Sequence, residues 1–234
     1  MDTGAKVSIL MPIYNGIEFI NESVGSIIDQ TTANWELIIG INGHPPNSFV
    51  YQLAKQYESV FSIRVIDFPD IKGKANTLNA MLPYCQYDYV AILDVDDIWQ
   101  PNKLQIQSAF VGDYDVVGSQ CVYFGDINNT SPSIPLGDIS KFDFTKVNPI
   151  INSSSVIRKE LCYWNSKFDG VEDYDLWLRL RNQNKLFYNV EYPLIKHRIH
   201  KSSAFNANGN NNKVAELLRQ HIQTPSTPYR NYGV

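Results

Sequence analysis

Four short apolar runs, at 6–12, 35–42, 61–68 and 87–94, are separated by segments whose apolar residues recur at helical spacing. In the segment 17–30, Phe19, Ile20, Val24, Ile27 and Ile28 mark one face of a helix, and 48–59 and 73–82 read as two more. Strands alternating with helices of this length predict βαβ units and a parallel sheet, hence an α/β fold. Ligands of such sheets bind beyond the carboxyl ends of the strands. Polar residues gather at those places: Tyr14 and Asn15 after the first run, Asn42 after the second, 70–74 after the third, and Asp94, Asp96 and Asp97 after the fourth.

The second half is less regular. Residues 114–125 read as one or two strands, 126–144 as a loop rich in turn formers, and 153–161 as a strand leading into a turn. A helix with an acidic start is expected at 171–183, and two short strands around Pro193 within 185–200. The asparagine cluster 206–212 interrupts the pattern and reads as a mobile linker before a short helix at 213–223 and a tail at 224–234. One domain is expected over 1–205, with 1–97 and 98–205 as its two halves.

Composition narrows the function. With 234 residues, 44% of them apolar, the chain can bury a sizeable core. Its 20 basic and 24 acidic residues form no basic stripe, which argues against nucleic acid as a partner. Cys85, Cys121 and Cys162 lie far apart, as in a reducing compartment, with no zinc or disulfide pattern. No apolar run reaches 18 residues and the start does not read as a signal peptide. A cytoplasmic protein without a membrane span is expected, with peripheral membrane association left open.

Asp94, Asp96 and Asp97 pose an electrostatic problem, because two carboxylates near 4 Å repel by roughly 4 kcal/mol at an effective dielectric of about 20. In an extended chain, Asp94 and Asp96 face the same side and can converge on a hard divalent cation. The alternative is an acidic turn in which Asp97 caps the helix starting near Pro101.

The segment "LDVDDIWQPNKLQIQ" resembles the DxD region of family-2 glycosyltransferases with the GT-A fold. So do "VSILMPIYNG", "VEDYDLWLRL" and "HRIHKSS", in the family's order, across roughly residues 6–203. The resemblance implies a nucleotide-binding half merged with an acceptor-binding half, and a metal-dependent, inverting transfer of a sugar from a nucleotide diphosphate to a hydroxyl. It implies manganese or magnesium held by Asp96, by Asp94, which can also contact ribose, and by His200, with Arg198 adding positive charge near the phosphates. It makes Asp173 the base and Glu172 a neighbour that orients it or meets the acceptor. For the nucleotide it implies Pro12, Tyr14, Asn15, Asn42 and Lys74, the last favoured over Lys72. A UDP-sugar is the favoured donor, and a glycan or other hydroxyl compound the acceptor.

Several positions carry two readings. Glu172, Asp173 and Asp175 are also good helix-start residues, and that location favours an ionised carboxylate and a weaker base. Strand alternation sets His197 opposite Arg198 and His200, as a structural residue. Trp164 and Trp177 either line an acceptor cleft or pack the core, while Trp99 and Pro101 read as packing and helix-start residues. Where the family commonly has an acid pair after the second strand, this chain has Ile41 and Asn42, with His44 close behind, which leaves the nucleotide base open. A nucleotidyltransferase is the first alternative, although "PIYNGIEF" lacks the basic phosphate loop it would need. A non-catalytic nucleotide-sugar-binding module is the second.

Overall fold

A computed structural model describes residues 4–201 and 209–222. The expected βαβ units are present: β1 (Val7–Ile13), α1 (Ile20–Ile28), β2 (Trp35–Asn42), α2 (Phe49–Lys55), β3 (Ile63–Phe68), α3 (Lys74–Met81) and β4 (Tyr89–Ile92). Strands β1, β2, β3 and β4 are mutually parallel. Then follow β5 (Ile98–Trp99), α4 (Lys103–Gln107), β6 (Val116–Gly125), β7 (Gly137–Asp138), β8 (Val156–Arg158), α5 (Glu172–Asn182), β9 (Phe187–Ile199) and α6 (Asn210–Ile222). All strands join one mixed sheet in the order β3-β2-β1-β4-β8-β6-β9-β5, with β7 on β9, so both halves of the chain share a single sheet.

Strand alternation divides the core into two layers. Leu10, Ile38, Val90 and Ile92 face α3 and α5, where Leu78, Met81, Leu176 and Trp177 bury. Ile9, Met11, Leu37 and Ile39 face the other way, towards Ile20, Val24 and Ile27 of α1. Each such side chain contributes roughly 1.5–3 kcal/mol on burial. Helix α3 lies so close to β2 that a Cβ on Gly40 would stand 2.6 Å from Met81 Sδ. Met81 is fully buried and cannot step aside freely. Gly40→Ala is therefore expected to destabilise the fold by about 1–3 kcal/mol in urea unfolding.

Within 114–125 a single strand, β6, forms, one of the two arrangements expected. Two expectations change. Residues 185–200 hold one long strand, β9, rather than two. The chain passes through Pro193 because the register between β6 and β9 shifts at Ser119/Gln120 and at Gln120/Cys121. An irregularity there accommodates the residue that cannot donate to the ladder. Asn210 to Asn212 open α6 instead of belonging to a linker, and Leu217 of that helix is buried with Trp177. Asn206 to Asn208 and the tail 224–234 lie outside the described residues. Among the described residues, no helix is long and apolar enough to cross a membrane.

Candidate functional site

A cavity of about 870 Å³ opens at the carboxyl ends of β1, β2 and β4, where a parallel sheet is expected to bind ligand. Pro12, Tyr14, Asn15, Asn42, Lys72, Lys74, Asp94, Asp96, His197 and His200 all line it. Residues from positions 12 to 200 thus meet around one space. Arg198, Glu172 and Asp173 are outside its lining.

The aspartates do not converge as an extended pair. Strand β4 ends at Ile92, and a turn closed by Asp97 N–H donating to Asp94 O at 3.0 Å gives each carboxylate its own partner. Asp94 Oδ1 is 2.5 Å from Lys74 Nζ. Burial alone would raise its pKa, but the lysine holds the Asp94 carboxyl below its ordinary value. Asp96 Oδ2 is 3.0 Å from His200 Nε2. Burial, then the charges of Asp97 and Asp94, raise the Asp96 carboxyl, which the His200 contact offsets only in part. Asp97 is fully buried and takes no part in capping, since Asn102 precedes α4. It accepts from Arg198 N–H at 2.9 Å and stands 3.0 Å from His197 Nδ1, which fastens β9 beneath the turn.

His197 therefore belongs to the cavity wall with His200, against the expectation from alternation. The strand stops at Ile199, so the two-residue rule no longer relates position 200 to position 197. Burial opposes its charge, but Asp97 prevails and lifts the His197 pKa to about 9. Arg198 turns away from the cavity. Its guanidinium lies 4.4 Å from the Phe19 ring and 4.3 Å from the Phe124 ring, donates through Nε to Asp96 O at 2.9 Å and pairs with Glu22 at 3.0 Å. That position steadies the Asp96 turn rather than presenting charge to a phosphate.

Lys74 connects the two acidic groups, with Glu172 Oε1 3.6 Å from its Nζ. Burial pushes its pKa down, but Asp94, Glu172 and Asp173 together raise it, so it stays charged. Its place at the start of α3 depends on a distant residue: Asp169 Oδ1 accepts at 2.8 Å from the N–H of Ala75, 94 positions earlier. Gly73 is needed beside it, because its φ is +85° and a Cβ there would stand 2.7 Å from Asp169 Oδ2.

Asp173 and Glu172 open α5 without capping it by the usual geometry. Burial outweighs the helix-start effect, and the Asp173 carboxyl titrates above its ordinary value even though Asn148 Nδ2 donates to it at 3.0 Å. This reverses the expectation of a weakened base. Burial and the neighbouring Asp173 charge push Glu172 up to about 7, against the pull of Lys74. A carboxyl raised on folding contributes stability that is lost as pH rises from its unfolded pKa through its folded value. Glu172→Gln is accordingly expected to raise the melting temperature at pH 8 and to leave it nearly unchanged at pH 4, by thermal unfolding at both pH values.

Trp164 and Trp177 are both fully buried and belong to the core, not to an acceptor cleft. Trp177 Nε1 donates to Ile150 O at 3.2 Å. Asn42 is only 3% exposed, and its amide reaches the cavity wall with no hydrogen-bond partner among the described residues. Both amide functions are thus available to a ligand edge.

Among the described residues, no three His, Cys, Asp or Glu side chains stand together as a metal site. The donor set nonetheless fits a cation that completes its shell with phosphate oxygens, as manganese and magnesium do with one or two carboxylates. Burial first, and then the charges of Asp97 and Asp94, raise the Asp96 carboxyl, and a cation would relieve the repulsion in that second part.

An open α/β sheet with an acidic turn over a cavity, where parallel strands give way to antiparallel ones, is the architecture of the GT-A glycosyltransferases. The chain belongs to glycosyl transferase family 2, whose family model matches residues 8–164. It is 32% identical over 213 residues to EpsE of Bacillus subtilis (strain 168), described as a glycosyltransferase without a stated substrate, covering 85% of this chain and 74% of that one. It is 31% identical over 228 residues to the Escherichia coli UDP-Glc:alpha-D-GlcNAc-diphosphoundecaprenol beta-1,3-glucosyltransferase WfgD, covering 92% and 83%. Among solved structures, S. aureus TarS (1–349) in complex with UDP superimposes with a TM-score of 0.72 at 14% identity, over 93% of this chain and 65% of that one. The mannosyltransferase PcManGT from Pyrobaculum calidifontis, in complex with GDP-Man and Mn2+, gives 0.67 at 15% identity, over 94% and 64%. This chain spans just under two thirds of either structure and shares the fold with both.

Proposed function

We propose that this glycosyltransferase moves a sugar, with inversion, from a nucleoside diphosphate sugar to a hydroxyl of a growing glycan, using a divalent cation. The observation that carries this reading is the charge arrangement: Asp94 and Asp96 line the cavity, while Lys74 links Asp94 to the acidic start of α5. A relative named for UDP-Glc, and fold neighbours bound to UDP or to GDP-Man and Mn2+, support a nucleotide-sugar donor and manganese. The acceptor class is supported by WfgD and by the Escherichia coli O-antigen biosynthesis glycosyltransferase WbnJ, which is 28% identical over 208 residues.

Pro12, Tyr14, Asn15 and Asn42 then hold the nucleoside, with the Asn42 amide on the base edge. Asp96, Asp94 and His200 would hold the cation, and the chemistry it would supply when bound is neutralisation of charge on a diphosphate leaving group. Lys74 adds a fixed positive charge on the same side. Asp173 takes the proton of the acceptor hydroxyl as its oxygen attacks the anomeric carbon and the bond to the diphosphate breaks with its electron pair. Burial suits Asp173 to this work by making it a stronger base.

The test is release of nucleoside diphosphate from a panel of UDP-, GDP- and dTDP-sugars with added manganese. The reading predicts release from at least one donor, abolished by EDTA and restored by the metal. Pyrophosphate release from a nucleoside triphosphate, with no release from any nucleotide sugar, would replace it by a nucleotidyltransferase.

A further inference from the structure

Asn148 and Asn152 sit on one loop, and each amide N–H points at a different carboxylate of the site. Asn148 Nδ2 donates to Asp173 Oδ2 at 3.0 Å, and Asn152 Nδ2 lies 3.4 Å from Asp94 Oδ2. The Asp94 backbone N–H in turn donates to Ser153 Oγ at 3.1 Å. Both amide oxygens, Asn148 Oδ1 and Asn152 Oδ1, are buried without a partner among the described residues. Leaving a buried acceptor unpaired is unfavourable. Turning either amide over would set its oxygen against a carboxylate oxygen, so the carboxylates dictate both orientations.

The loop is itself pinned from three sides. Trp177 Nε1 of α5 donates to Ile150 O at 3.2 Å, Asn189 Nδ2 of β9 to Pro149 O at 2.7 Å, and Trp99 Nε1 of β5 to Ser153 O at 2.8 Å. Ile150 is fully buried between them. A segment so fixed has no freedom to follow either carboxylate. It can only impose a position on both.

We infer that the loop 148–153 is a strap setting the acceptor-side carboxylate Asp173 in register with the donor-side carboxylate Asp94, with Asn148 as the positioning residue for the base. This rests on Asp173 being that base. By occupying Oδ2, the Asn148 amide fixes the rotation of the carboxyl and directs its remaining basicity. The charged groups that face Asp173 are Lys74 from α3, Asp94 from the turn after β4 and Glu172 on its own helix; the neutral donors are the Tyr174 backbone N–H, on the same helix, and the Asn148 amide, which comes from outside it. The lysine is shared with Asp94 and Glu172, so it cannot orient Asp173 alone.

The test compares Asn148→Ala and Asn148→Ser with the unaltered protein. The 13C titration of the Asp173 carboxyl is followed in each, that resonance being assigned by its loss in Asp173→Asn. Nucleotide-sugar turnover with manganese is measured alongside. For Asn148→Ala the titration midpoint is expected to rise by about one pH unit, with kcat lowered about 10- to 100-fold and donor KM unchanged. Asn148→Ser, which keeps a donor, recovers part of both, and it carries the comparison if the alanine variant does not fold. An unshifted midpoint with unchanged kcat overturns the inference. So does a loss of activity that follows only the loss of folded protein. Full turnover by Asp173→Asn would remove the base reading itself, whereas an inactive Asp173→Asn beside an unshifted Asn148→Ala would remove the positioning role alone.

Discussion

Asp173→Asn is expected to lower kcat by a factor on the order of 10² to 10⁴, the range that general-base catalysis supplies, while leaving nucleotide affinity within about twofold. The two halves of that expectation have different origins. A hydroxyl attacking the anomeric carbon must lose its proton, and Asp173 is the carboxyl at the start of α5 held ready by Asn148. It lies outside the lining of the cavity that receives the nucleotide, so substitution there removes little binding. The asparagine matches the shape of the carboxyl and removes a half-buried negative charge, so the fold should not suffer. Steady-state kinetics and calorimetric titration of a nucleoside diphosphate separate the two effects. A variant with normal kcat would assign the base elsewhere.

Asp96→Ala is expected to act on the other side of the reaction. Without this carboxylate the cation loses a protein ligand, and nucleoside diphosphate affinity in manganese should fall at least about tenfold, with turnover down by about 10³ or more. The telling comparison is with EDTA present: the unaltered protein should then bind the nucleotide about as weakly as the variant, and the variant should be indifferent to metal. Asp96 pairs with His200 in the free protein, and its carboxyl is held up by burial and by Asp97 and Asp94. Removing it relieves repulsion within the turn, so the loss of activity should come without a loss of stability. A variant that binds more weakly only because it melts earlier would contradict this account.

Most of the first half was legible because local pattern and tertiary role coincide there. Strands β1, β2 and β4 are buried on both faces, which writes them into the chain as largely apolar runs, whereas the edge strand β3 is only half-buried and carries Arg64 and Asp67. That Asp94, Asp96, Lys74 and Asn42 would gather at the cavity was legible because each follows the end of a strand, at the mouth of the sheet. The rest depended on long-range pairing. Pro193 argued for two strands, but β6 tolerates it through a register shift that no local signal in β9 announces. Asp97 and His197 exchange a contact across 100 residues, so neither position shows in isolation whether it faces ligand or structure. Trp164 and Trp177 offered faces suited to sugar, and only the packed core that gathers both, one on α5 and one on the segment before it, shows them buried. Asn148 left no trace in the pattern. An asparagine before a proline reads as a turn, and its value lies in where the turn is carried.

The central claim is that a divalent cation joins a nucleoside diphosphate to the acidic turn. Manganese is paramagnetic and broadens nuclear resonances near it, so titrating it into isotopically labelled protein locates the cation directly. The account predicts strong broadening at Asp96, Asp94 and His200 when a nucleoside diphosphate is present, and much weaker broadening without it, because the phosphates complete the site. Broadening centred elsewhere, or the same at the turn with and without nucleotide, would contradict it.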